Sequence, residues 1–289
     1  MPRLFRYLIF AGVLLTGISI GRCQESTNAS HWKIPNDKHD FHVFLLMGQS
    51  NMSGFGKVVP EDRQPVPRVV KVPTKHKGEL KWLPAAHPLH NRLRSDRFGL
   101  GLPFAIEYLK DKPNVVVGLI PLAWGGAPID RLKKGTPTYD DALAKTKFAL
   151  KHGELKGVLW HQGESDTVSD TRTNSYEQKL HQFIVDLRKD FADDQLPFVA
   201  GNLAEFYGTS KEHSQPERVK RIDKVRAILR ALPSQVANTG FVESKDCSSP
   251  DRHMVHFDRE SYILLGQRYA KVFSEMMSRP QEKGVNNSN

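Results

Sequence analysis

The feature that most limits what this chain can fold into is the run Phe41-His42-Val43-Phe44-Leu45-Leu46-Met47, closed by Gly48. It is apolar almost throughout and shows no polar alternation. A strand with one face in water alternates. One that does not must be covered on both faces, as in a parallel sheet. Comparable apolar runs recur at 114–122, 157–160, 197–201 and 236–242. Between them lie stretches of helical period at 103–110, 139–152, 174–191, 216–232 and 259–277. Leu180, Phe183, Ile184 and Leu187 form one stripe, and Ile263, Leu264, Tyr269, Val272, Phe273 and Met276 another. Strands alternating with helices imply a mainly parallel, five-stranded α/β sheet covered on both faces. Residues 57–97, rich in Pro, Lys, Arg and His, break this rhythm and are expected to be a long irregular insertion that shapes a binding cleft.

The 289 residues suit one such domain, here placed at 39–279. Residues 1–23 form a separate unit. Arg3 and Arg6 precede an uncharged run at 8–20, the layout of a cleaved secretory signal. That run is too short to span a bilayer comfortably. The expected mature protein is therefore secreted or periplasmic, without a stable membrane anchor. Residues 24–38 read as a polar leader and 280–289 as a frayed tail. The net charge of +10 falls by three with loss of Arg3, Arg6 and Arg22. The remaining basic residues form no tight block, so nucleic-acid binding is not expected. Only Cys23 and Cys247 are present, and a disulfide scaffold is not expected. His161, Glu164 and Asp166 lack a zinc spacing, and no metal is expected.

In a parallel α/β sheet, functional groups gather in loops after the strands. Four loops here meet that demand. Gly48-Gln49-Ser50-Asn51-Met52-Ser53-Gly54 follows the first run. Ser50 in it can present a hydroxyl at the sheet edge or simply cap a helix. Trp124-Gly125-Gly126-Ala127 follows the second, either an ordinary turn or a backbone N–H free to approach a ligand. His161-Gln162-Gly163-Glu164-Ser165-Asp166 follows the third, with His161 either structural or chemical. Asp251-Arg252-His253-Met254-Val255-His256-Phe257-Asp258 precedes the last helix, where a histidine can swing over the sheet edge. Asp258 or Ser261 would cap that helix.

Together these segments resemble the SGNH hydrolases, and within them the branch of carbohydrate esterase family 6 and the sialate O-acetylesterase-like domains. "MGQSNMSGFG", "AWGGAPID", "GVLWHQGESD" and "HMVHFDRESYILLGQRYA" carry the likeness, with "GLGLPFA" at 99–105 and Gly266 in its expected place. The resemblance implies a three-layer α/β/α, flavodoxin-like fold. It implies a serine esterase that hydrolyses O-acetyl esters on a polysaccharide or sugar, xylan or sialic acid among them, through an acetyl-serine and without cofactor. Ser50 would be the nucleophile and His256 the base. The N–H groups of Ser50 and Gly126 and the side chain of Gln162 would form the oxyanion hole. Asn51, His161 and Trp124 are candidate substrate contacts, and His87, His90, Arg92 and Arg94 could meet an acidic sugar.

One departure stands out. The family's last block reads Asp-x-x-His, but the residue three before His256 is His253. The acid that fixes the imidazole tautomer and stabilises the imidazolium must then come from elsewhere. Glu164 is the favoured source and Asp251 the alternative, the latter requiring a looped-out segment before His256. A dyad without an acid is the third possibility, and a carbohydrate-binding protein that has lost catalysis is the rival from another class.

Overall fold

The computed structural model describes residues 33–75, 78–90 and 97–278. The expected signal at 1–23, most of the leader, the tail at 280–289, and Arg92 and Arg94 lie outside the described residues. In chain order the elements are β1 (Phe41–Gly48), α1 (Ser50–Ser53), β2 (Gly56–Lys57), β3 (Val69–Lys71), β4 (Leu83–Pro84), β5 (Arg97–Phe98), α2 (Gly101–Tyr108), β6 (Val116–Ala123), α3 (Pro137–Ala149), β7 (Glu154–His161), α4 (Asp170–Phe191), β8 (Phe198–Gly201), α5 (Pro216–Gln235), β9 (Thr239–Val242) and α6 (Arg259–Ser278). One sheet has the order β4-β3-β6-β1-β7-β8-β9, parallel except for the β3–β4 pair.

The five expected strands are present, and the sheet has two more. Both come from the stretch expected to be irregular. Val69–Lys71 was hidden by its shortness and by a lysine in the middle of an apolar run. The fold buries that lysine: Lys71 is 7% exposed, and its ammonium donates to the carbonyls of Pro88 and Leu89, each at 3.1 Å. Burial lowers its pKa to about 8. β4 is two residues long and contains Pro84, which an edge strand tolerates. β2 and β5 pair antiparallel in a separate ribbon, Gly56 with Phe98 and Lys57 with Arg97. α4 starts four residues before the expected position because the Ser169 side chain caps it, accepting from the Arg172 N–H.

Helices cover both faces. On one, Phe44 of β1 packs against Phe104 and Tyr108 of α2 and Phe273 of α6, ring centroids 4.8, 4.9 and 5.1 Å away. On the other, Trp160 of β7 meets Phe183 of α4 at 4.8 Å, and Tyr139 of α3 meets the same ring at 6.0 Å. α2 and α6 touch closely at Gly266, where an added Cβ would stand 2.5 Å from that of Pro103. The chain crosses from β6 on one side of β1 to β7 on the other. That is the switch point where open α/β sheets hold ligands, beyond the strand carboxyl ends. Gly48 ends β1 in register with Ala123 of β6 and His161 of β7, so three loops leave the sheet side by side.

Candidate active site

The turn after β1 is forced by close packing. Gly48 has φ +149°, and a Cβ there would lie 2.1 Å from the His161 carbonyl oxygen, so only glycine fits. The Gln49 N–H donates to that carbonyl (3.0 Å), and the Trp124 N–H to the Gly48 carbonyl (3.0 Å). The chain then coils into α1 with Ser50 as its first residue, 7% exposed. His256 reaches it from the opposite side. The Ser50 hydroxyl and His256 Nε2 are 2.9 Å apart although 206 residues separate them in sequence. Asp258 accepts from the Ser261 N–H (2.8 Å) at the start of α6, as expected of a cap. Ser261 accepts in turn from the Ser248 N–H (2.7 Å), which fixes the loop carrying His256.

Ser50 opens onto a cavity of about 180 Å³ lined by Ser53, Gly54, Phe55, Ala123, Trp124 and Gly125, with Lys75 and Arg97 supplying cationic side chains and His90 an imidazole. Burial is the main influence on His256 and drives its pKa down to about 4. Asp251 works against burial, while Arg97 and His253 add to it. The imidazole is therefore neutral at pH 7, the state a proton acceptor needs.

The remaining sequence-derived candidates divide. No hydrogen bond joins Glu164 to His256 among the described residues. It is 3% exposed, and its Oε1 accepts from Asn51 Nδ2 at 2.6 Å. Burial raises its pKa to about 7. Asp251 is the acid whose field reaches the imidazole. It does so because the segment is looped out: Asp251 Oδ1 accepts from the His253 N–H (2.9 Å), and Met254 turns the chain at φ +51°. No hydrogen bond joins Asp251 to His256 among the described residues.

Gln162 is fully buried. Its two amide protons face three protein acceptors: Asp166 Oδ2, the Ala127 carbonyl (3.0 Å) and Gln49 Oε1 (3.3 Å). It holds the second loop to the third and has no proton spare for an oxyanion. Gly126 lies exposed in the turn closed by the Ala127 N–H and the Trp124 carbonyl (3.2 Å), with φ +67°.

Asn51 and His161 are both fully buried and cannot meet a substrate in this structure. His161 Nδ1 bonds the Tyr269 hydroxyl at 3.1 Å. Asn51 donates to Glu164 and to the Val255 carbonyl (3.0 Å) and accepts from the Tyr262 hydroxyl (2.9 Å). It thus ties the serine turn to the third loop, to the histidine loop and to α6. Asn51→Leu is expected to leave these groups unpaired and lower folding stability by about 2–5 kcal/mol in urea titration.

Trp124 keeps its expected place on the cavity wall, 37% exposed. His87 does not line the cavity. Its ring lies tilted against Phe98, centroids 4.0 Å apart, and burial drives its pKa to about 3. Phe55, Lys75 and Arg97 were not singled out in the sequence. Nothing there marks Phe55 beyond its closeness to Ser50, and Lys75 and Arg97 come from the stretch without periodicity. Among the described residues, no group of three or more His, Cys, Asp and Glu could hold a metal ion, and no helix is long and apolar enough to cross a membrane.

Comparison with known proteins bears on the fold and the family. A probable carbohydrate esterase of Arabidopsis thaliana is 28% identical over 251 residues, covering 80% of this chain and 89% of that one. A solved Arabidopsis thaliana structure superposes with TM-score 0.69 at 27% identity, over 81% of this chain and 98% of its own. NanS shares the fold at TM-score 0.65 and 18% identity, over 83% and 98%. Residues 40–275 match the family described as carbohydrate esterase, sialic acid-specific acetylesterase. The chain belongs to that family, and is a carboxylic ester hydrolase acting on carbohydrate acetyl groups.

Proposed function

We propose that this protein is an exported serine esterase that removes O-acetyl groups from sugars through an acetyl-serine. The observation that carries the reading is the 2.9 Å contact between Ser50 and a neutral His256 at the mouth of a small cavity. His256 Nε2 takes the hydroxyl proton as Ser50 Oγ attacks the acetyl carbonyl. The backbone N–H groups of Ser50 and Gly126 meet the oxyanion, each contributing on the order of 3 kcal/mol. The imidazolium then protonates the departing sugar oxygen, and water repeats the cycle to release acetate. Asp251 supports the imidazolium through its charge. Gln162 acts by holding the Ala127 carbonyl, and so the turn that presents Gly126.

The cavity is small, which suits a short acyl group. The cations Lys75 and Arg97 around Ser50 favour an acetylated sugar carrying a carboxylate over neutral xylan. Export rests on the charged and apolar pattern of residues 1–23, and the mature chain is expected to begin between about 21 and 28. Hydrolysis of p-nitrophenyl acetate, with Ser50→Ala as control, tests the chemistry. Comparing O-acetylated sialic acid with acetylated xylan tests the substrate. An inactive wild type, or one preferring xylan, overturns the corresponding part.

The pH profile provides a further check. The free enzyme is competent with His256 neutral. Its folded pKa lies below the ordinary 6.5, so competence is kept as pH falls through 6 and is lost on passing about 4. The acidic limb of kcat/KM is expected near pH 4. A limb near 6.5 would show a well-solvated imidazole instead.

A further inference from the structure

His256 has one hydrogen bond, at Nε2, and none at Nδ1 among the described residues. A ring held at a single point can still tilt about that contact, and tilting moves Nε2 off the serine. In this structure the tilt is blocked by an aromatic plate. The Phe55 ring lies flat on the imidazole, with centroids 3.6 Å apart and planes 5° from parallel. The plate is itself backed. The Arg97 guanidinium carbon stands 3.0 Å from the Phe55 centroid, so Arg97, Phe55 and His256 form a stack of three planar groups.

We infer that Phe55 is a positioning residue for His256, its ring braced by Arg97 and supplying the orientation that a triad carboxylate supplies elsewhere. The inference rests on the reading of Ser50 and His256 as nucleophile and base. The backbone explains why the plate is rigid. The Gly54 N–H donates to the Ser50 carbonyl (2.9 Å), so the nucleophile and the plate share one turn. Gly56, the next residue, pairs with Phe98 in the β2–β5 ribbon, which brings Arg97 alongside. Phe55 therefore sets the imidazole directly against the residue it must activate. A benzene face fixes the ring plane but does not choose a tautomer. The charged groups facing His256 are Asp251 and His253 from its own loop and Arg97 from the ribbon, and charge support falls to Asp251.

The test uses the full-length protein, neutral p-nitrophenyl acetate and two substitutions. Phe55→Leu keeps apolar bulk and removes the flat face. It is expected to lower kcat by about 10- to 100-fold with KM changed by less than about threefold. Phe55→Tyr restores the face and is expected to return kcat to within about threefold of wild type. A second readout needs no activity. In wild type the ring protons of His256, lying over the Phe55 face, resonate upfield; in Phe55→Leu they move downfield, and in Ser50→Ala they stay. A folded Phe55→Leu protein with kcat within about threefold of wild type overturns the inference. So does loss of kcat without the downfield shift. If wild type is inactive but the shift behaves as stated, the esterase reading fails while the stack stands. If Phe55→Leu does not fold, Arg97→Gln replaces it. Loss of the brace is then expected to lower kcat by about 3- to 10-fold, and an unchanged kcat overturns the inference.

Discussion

Ser50→Ala is expected to lower kcat toward acetyl esters by about 10⁴- to 10⁶-fold, with His256→Ala close to it, because the two residues act as one unit. The nearest hydroxyl that could substitute is Ser53, which also lines the cavity. It is turned away: its Oγ donates to the Ser50 carbonyl at 3.2 Å. A serine-directed organophosphate should therefore label Ser50 alone, read by peptide mass spectrometry. Labelling of Ser53, or Ser50→Ala activity within about tenfold of wild type, would remove Ser50 from the chemistry.

The second large effect concerns the acid. Asp251→Asn is expected to lower kcat by about 10- to 100-fold, well short of the ~10⁴-fold seen when a buried, hydrogen-bonded triad carboxylate becomes an amide. The smaller loss follows from geometry, since Asp251 reaches His256 by charge and not by a bond. The sign of the accompanying shift is fixed. Removing a negative charge disfavours the imidazolium, so the acidic limb should move below about 4. Glu164→Gln is expected to change kcat by less than about threefold. Burial has already raised its pKa to about 7, so near neutrality the carboxyl is often protonated. An amide oxygen can accept from Asn51 as the carboxyl oxygen does. Steady-state kinetics of both variants checks the ranking, and the reverse order would return the role to Glu164.

The sheet was legible where chemistry repeats. The run at 41–47 is apolar because β1 lies between two helical layers, and that condition shows in one dimension. The strand-end loops were legible for the same reason, since a parallel sheet delivers every such loop to one edge. β3 and β4 were not, because three residues around a buried Lys71 carry too little pattern. Within the site, loop placement offered Ser50 and the histidines of the last loop as candidates, and the family resemblance paired Ser50 with His256. The identity of the acid followed from neither. The sequence favoured Glu164 and kept Asp251 as the alternative on condition of a looped-out segment. Asp251 faces the imidazole because Met254 adopts a left-handed backbone, which the residue types do not announce. Asn51 and Gln162 look from the sequence like groups awaiting a ligand. Only the three-dimensional arrangement shows their hydrogen bonds already taken by protein.

The excursion between β2 and β5 has a double duty that bears on how such enzymes diversify. It contributes Lys75 and His90 to the cavity wall, and it also contributes β3, whose hydrogen bonds cover the flank of β6. Trimming it to admit bulkier substrates would strip the sheet of that flank and open the edge of β6, where Val117 and Leu119 are fully buried. Its route is also anchored, since Asp62 grips Arg259 of α6 through two hydrogen bonds of 2.6 and 2.9 Å. New substrate preference in this lineage is therefore constrained to arise by exchanging side chains that face the cavity, not by shortening the segment that carries them. A library built on this scaffold should randomise positions 75 and 90, keep Arg97 as the brace of Phe55, and leave the segment's length alone.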